Sequence, residues 1–378
     1  MKPVLPPLCA RLLTAARKGA GASAVLVGLA LALGVAVADA AAPATNLTVL
    51  MGDDAAASSE FVQQLRADQG AGGKFELVRL PSSPSSPSSP SSPSSPSSTA
   101  VAGADPQAAE NTDTERAANA GVRTRSLRTA ETPLTMAVGP AAARAAVERP
   151  GQEPLVLAML SRLDYEALKA SSPALKRGDR RVGVLLRDPA MADQLALINA
   201  VLPQKRRIGV VATPESEPLV RELQRAAQGA NPAWDVHVEY APDPTSLANA
   251  LRQVVPQSDA LMVLPDLIGD SQAATLSVLR AGATAGLPVF GASEGLVRSG
   301  GLAAAVSTPS QLAQQARLLG VKVASAASSA SGTAGNTASP LVEAATPATV
   351  RVNATVARGL GLRLPEEREL TERLAVPR

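Results

Sequence analysis

The chain has 378 residues, enough for two ordinary domains once a leader is set aside. Three Phe, two Tyr and one Trp are its only aromatics, so Ala, Val and Leu must build the core, a composition suited to helix–sheet contacts and buried parallel strands. Of its 36 basic and 33 acidic side chains, Lys2, Arg11, Arg17, Lys18 and Asp39 fall in the first 40 residues, which leaves 32 of each beyond them. That balance carries no electrostatic footprint for nucleic acid, and Cys9, the single cysteine, lies in the same leader, so disulfides and thiolate metal sites are excluded from the rest.

Residues 1–40 read as a secretory signal peptide: a basic start, the uncharged run Ala24–Val37, then the small-x-small sequence Ala38-Asp39-Ala40. The 14-residue run is short for a membrane span, which needs about 20. Strands and helices then alternate. Strands are expected at Asn46–Met51, Phe75–Leu80, Pro133–Val138, Leu155–Leu160 and Arg181–Leu186, with helices at Ser59–Asp68, Ala141–Arg149 and Ala190–Leu202. Six copies of Pro-Ser-Ser at 81–98 favour polyproline II and cannot pack a core, so 81–120 is expected to be a disordered, solvated insert. The second half repeats the rhythm. Strands are expected at Arg207–Ala212, Asp235–Tyr240, Asp259–Leu264 and Leu287–Phe290, and helices from Pro214 through Gln228 and at Pro244–Val255 and Ser271–Ala285. A second Ala/Ser/Gly/Thr-rich stretch, 323–340, reads as a loose loop, and a short helix at Ala354–Arg358 is capped by Gly359-Leu360-Gly361. Short apolar strands between amphipathic helices indicate an α/β architecture of two doubly wound parallel-sheet lobes.

Three motifs carry little chemistry. Gly291-Ala292-Ser293-Glu294-Gly295 matches Gly-x-Ser-x-Gly after a strand, but the only histidine, His237, precedes the serine, whereas nucleophile-elbow hydrolases place theirs last. Strand alternation puts His237 on a polar face with Asp235 and Glu239, where a solvated role is expected. Gly70-Ala71-Gly72-Gly73 follows a helix rather than a strand and reads as a turn, not a dinucleotide fingerprint. No cofactor, metal or enzymatic role is expected.

Five segments in order resemble one family: AVGPAAARAA (137–146), QLALINAVLPQKRRIGVVATPES (194–216), SDALMVLPD (258–266), GLPVFGASEGLVRSGGLAAAVS (286–307) and VRVNATVARGLGLRLP (350–365). They are similar to ABC-type solute-binding proteins related to the tryptophan- and tyrosine-binding proteins, which have a type I periplasmic-binding fold. The resemblance implies chain crossings between lobes near 307–320 and 349. It also implies a first lobe of 44–187 plus 307–348 and a second of 188–306 plus 349–378. Scarce aromatics argue against an aromatic amino acid as solute. The implied function is capture of a small polar solute in the periplasm by a monomer that delivers it to an inner-membrane ABC permease. A sensor or regulatory protein signalling to a membrane partner is the alternative on the same fold.

Open parallel sheets bind ligands beyond the carboxyl ends of their strands, where helix N-termini present free N–H groups. The candidate ligand-binding residues are therefore Gly52, Asp53 and Asp54; Gly139, Pro140 and Ala141; Ser161 and Arg162; Thr213, Glu215 and Ser216; Pro265 and Asp266; and Ala292, Ser293 and Glu294. Each of these also suits ordinary capping, Thr213 above all, because Thr-Pro-Glu-Ser-Glu is a good helix start.

Overall fold

A computed structural model describes residues 46–52, 55–68, 74–80, 133–178, 180–329, 339–346 and 349–375. The expected leader, the turn at 70–73 and the Pro-Ser-Ser insert at 81–120 lie outside these residues. The first sheet forms from β1 (Asn46–Met51), β2 (Phe75–Arg79), β3 (Pro133–Val138), β4 (Leu155–Leu160) and β5 (Val182–Pro189). Between them run α1 (Ala56–Ala67), α2 (Pro140–Glu148), α3 (Arg162–Ser171) and α4 (Pro173–Arg177). The chain then enters the second sheet: α5 (Met191–Val201), β6 (Arg207–Ala212), α6 (Glu217–Gly229), β7 (Asp235–Tyr240), α7 (Pro244–Val254) and β8 (Ala260–Val263). It continues through α8 (Leu267–Asp270), α9 (Gln272–Ala285), β9 (Val289–Gly291), α10 (Glu294–Arg298) and β10 (Ala303–Val306). Helix α11 (Pro309–Ser329) and β11 (Leu341–Ala345) return to the first sheet, and β12 (Thr349–Val352), α12 (Ala354–Gly359) and α13 (Glu367–Ala375) end in the second.

The two sheets share one plan. Their orders are β2-β1-β3-β4-β5-β11 and β7-β6-β8-β9-β10-β12, and every pairing is parallel except β12 against β10. The inner strands bury both faces, whereas the edge strands β2 and β7 have no fully buried residue. In β4, Val156 and Ala158 meet α1 and α11, whereas Leu155, Leu157 and Leu160 meet α2, α3 and α4. In β8, Ala260 and Met262 meet α5 and α6, whereas Leu261 and Val263 meet α7 and α9. This explains why these inner strands read as unbroken apolar runs, whereas the edge strand β7 alternates.

Side-chain amides brace the three crossings between the sheets. Gln194 on α5 donates to the Ala305 carbonyl at 2.8 Å and accepts from the Ala305 amide at 3.3 Å. Gln311 on α11 donates to Thr349 Oγ1 at 3.0 Å and accepts from the Thr308 amide at 2.9 Å. Gln315, one turn on, donates to the Ala344 carbonyl and accepts from the Thr346 amide, both at 2.8 Å.

The loop expected at 323–340 is overturned through Ser329. Leu312, Ala316, Leu319 and Val323 are buried at helical spacing, and α11 runs on through the Ala/Ser-rich residues. Gly183 on β5 leaves the room this needs, since a Cβ there would stand 2.8 Å from Val323 Cγ2. Val323→Ala should accordingly lower the unfolding free energy by about 2 kcal/mol in urea titration. At a loop position the same change would stay within about 0.5 kcal/mol.

Candidate functional site

In the order β2-β1-β3-β4-β5 the winding direction reverses between β1 and β3, and in the second sheet it reverses between β6 and β8. Such switch points open a crevice at the carboxyl edge. In the first lobe the crevice is narrow. A Cβ on Gly52 would lie 2.8 Å from Ala141 Cβ and 2.9 Å from the Ala142 nitrogen, so only glycine lets the loop after β1 approach the start of α2. Gly139 turns β3 into α2 with φ +83°, a conformation that disfavours any residue with a Cβ. Ala141 is exposed and Pro140 half-buried at this helix start, whereas Asp53 and Asp54 lie outside the described residues.

In the second lobe a buried hydroxyl chain bridges the equivalent crevice. Thr213 Oγ1 lies 2.9 Å from Ser216 Oγ, and Ser216 donates its proton to Asp266 Oδ2. A serine has one proton, so Thr213 must donate in the first contact. Asp266 Oδ1 accepts from the Ile268 and Gly269 amides at 2.9 and 3.1 Å. Burial raises the Asp266 pKa, opposed by these hydrogen bonds. Thr213, Ser216 and Asp266 thus tie the tip of β6 to the tip of β8 and face inward.

The tip of β4 leads to the opposite lobe. Met159 has φ +61° beside a register shift in the β4–β5 pairing, the only non-glycine positive φ among the described residues. Buried Ser161 then caps α3, accepting from the Asp164 amide at 3.0 Å while its own amide and hydroxyl donate to Asp164 Oδ2. The next residue crosses the gap: Arg162 Nε and Nη2 donate to Glu222 Oε2 on α6 at 2.9 and 2.7 Å. Leu163 packs against the second lobe's core beside it, and the Met191 amide at the start of α5 reaches Glu222 Oε1 at 3.4 Å. Sequence reasoning placed Arg162 correctly at a strand tip but had no signal for Glu222, 60 residues away.

Glu215, Ser293 and Glu294 are exposed at the carboxyl edge of the second sheet, with Pro265 and Ala292 half-buried between them. Leu267, 62 % exposed, joins this rim and was not among the residues singled out from the sequence. Ser293 caps α10, accepting from the Leu296 amide at 3.1 Å. Its strand β9 is separated from His237 on β7 by two strands, roughly 14 Å at the usual spacing, and His237 contacts Asp235 at 3.1 Å. The nucleophile–base pair of a hydrolase is not assembled. Among the described residues no group of His, Cys, Asp or Glu could hold a metal ion, and no helix is long and apolar enough to cross a membrane. Two larger grooves, of about 560 Å³ between α7 and α9 and about 610 Å³ beside Trp234, lie on helix flanks and are lined mainly by small apolar residues.

Two like sheets joined by three crossings are also found in known proteins. The profile of the family described as ABC transporter substrate binding protein matches residues 108–367, more than half of the chain. The chain belongs to this family. Substrate-binding proteins of this kind bind a small molecule and serve a membrane permease, and they are typically periplasmic or extracellular. Among solved structures, the ligand-free open form of a substrate-binding protein with adhesive properties from Clostridium difficile is similar at TM-score 0.53 and 14% identity, covering 85% of this chain and 96% of that one. An ABC domain from Streptococcus pneumonia in complex with L-Trp aligns at TM-score 0.47 and 14% identity, covering 87% and 98%. A solute-binding protein from Burkholderia graminis in complex with D-arabinose aligns at TM-score 0.39 and 11% identity, covering 82% and 95%. No match was found among curated proteins. The type I periplasmic-binding fold read from the sequence is the fold of this substrate-binding protein.

The two kinds of strand-tip residue should separate by stability. Asp266→Ala strands Ser216 Oγ and two buried amides and should cost about 2–4 kcal/mol in urea titration. Ser293→Ala removes only an exposed cap and should cost about 1 kcal/mol.

Proposed function

We propose that this substrate-binding protein is exported by the leader at 1–40 and captures a small polar solute in the periplasm, as a monomer that delivers it to an inner-membrane ABC permease. The lobes, 44–187 plus 307–348 and 188–306 plus 349–378, close about the three crossings. Closure is a population shift, driven by solute contacts that both lobes make only when closed. The observation that supports this most is the duplicated strand order, which gives each lobe one carboxyl edge with a helix start at its switch point. The first lobe offers Gly139, Pro140 and Ala141 at the N-terminus of α2. The second offers Glu215, Leu267, Ser293 and Glu294 on its rim. Thr213, Ser216 and Asp266, turned inward, hold these loops in place rather than touch the solute.

A thermal-shift screen with amino acids, nucleosides and small organic acids tests the proposal. A solute present at a hundredfold its Kd stabilises by about 2.7 kcal/mol, which raises Tm by several degrees. Glu294→Ala and Glu215→Ala should weaken that solute at least tenfold by calorimetry while leaving the ligand-free Tm unchanged, because both side chains are exposed. A panel without one stabilising solute would count against capture.

A further inference from the structure

The first crossing holds a charged group that solute capture leaves unused. Asp188 lies at the end of β5, three residues before α5 begins. Its side chain is 18 % exposed, yet Oδ2 is sealed from solvent and accepts no hydrogen bond. The charged groups that act on it come from its own strand and from three helices. Arg187 on its own strand has Nε 3.8 Å from Oδ2, beyond hydrogen-bonding distance. Asp164 faces it from α3, Glu222 from α6 and Asp270 from α8. Glu222 in turn engages Arg162 on α3. Asp188 therefore lies within electrostatic reach of three carboxylates, near where α3 of one lobe meets α6 of the other.

We propose that Asp188 is a proton-operated release for the contact between the lobes: protonated, it lets α3 and α6 stay joined through Arg162 and Glu222; ionised, it drives them apart. The chemistry is that of a carboxylate with neither water nor a donor at one oxygen, repelled by its neighbours. Burial is the main cause that pushes its pKa up to about 6, Arg187 opposes the rise, and Asp270, Asp164 and Glu222 add to it. When the lobes part, the carboxyl is hydrated and returns toward an ordinary value near 4. The raised value belongs to the joined state, so the contact is fully favoured below about pH 4, weakens as pH rises to about 6, and is constant above. Two pKa units correspond to a shift of roughly a hundredfold in the ratio of parted to joined lobes. The device rests on the hinged-lobe reading above but needs no solute.

The test is the distance between spin labels on exposed residues of the two lobes, Arg144→Cys and Gln224→Cys in the full chain with Cys9→Ser, from pH 4 to 8. The longer-distance population should grow between pH 4 and 6 and then level off. Asp188→Asn should hold the pH 4 distribution throughout. Asp270→Asn, at an exposed residue, should end the transition at lower pH, and it carries the test independently of how Asp188→Asn folds. A distribution that ignores pH, or an Asp188→Asn protein that titrates like the parent, overturns the proposal. Distances that answer to a solute but not to pH sink the proton release and leave capture standing; the converse result sinks capture alone.

Discussion

Parallel pairing puts the carboxyl ends of its strands on one edge of a sheet, and in this chain that constraint operates twice with the same strand order, β12 alone running the other way. The reversal in winding then leaves one crevice per lobe, and the structure treats the two differently. In the first lobe, Gly52 lets a loop lie against the start of α2 with no side chain between them. In the second, the Thr213–Ser216–Asp266 chain joins the two tips by buried hydrogen bonds. A hydrogen-bonded chain of this kind is strong only when every member is satisfied, and the Ile268 and Gly269 amides complete it. In the second lobe this chain anchors the tips from which the exposed Glu215 and Leu267 project.

The inner strands of both lobes were legible because they are short apolar runs buried on two faces, a signal that does not depend on partners. Elements with weaker stripes were not. Helix α3 buries only Tyr165 and Leu168, and β11 is an edge strand with Leu341 exposed and a single fully buried residue, Ala345. The Ala/Ser composition from 323 onward suggested a loop because small residues are common in loops. Its helical continuation depends on Val323 and Ala324 fitting the sheet, a fact of packing and not of local pattern.

The candidate site was half legible for a related reason. Ser, Thr and Asp at strand tips are equally suited to touch a ligand or to cap a helix. Only the fold shows that Ser161 and Asp266 spend their hydrogen bonds inward while Glu215 and Glu294 remain exposed. The position of Arg162 at a strand tip was legible, but its partner Glu222 lies on another lobe and in no sequence window that contains it. Asp188 is subtler still: nothing in Arg-Asp-Pro distinguishes a solvated aspartate from one with a sealed oxygen.

The lobes are joined by two chemically distinct sets of contacts. Gln194, Gln311 and Gln315 brace the crossings through amide hydrogen bonds. Amides carry no charge and do not titrate, so these braces keep their strength at any ordinary pH or salt concentration. Away from the crossings, α3 meets α6 through Leu163 and a partly buried ion pair, with carboxylates on both sides. Charged contacts of that kind respond to ions, protons and competing ligands. In the proposed hinge, a joint built this way would confine change to the charged contact: solvent conditions or a solute would alter how often α3 and α6 touch, while the amide-braced crossings keep the two sheets in register.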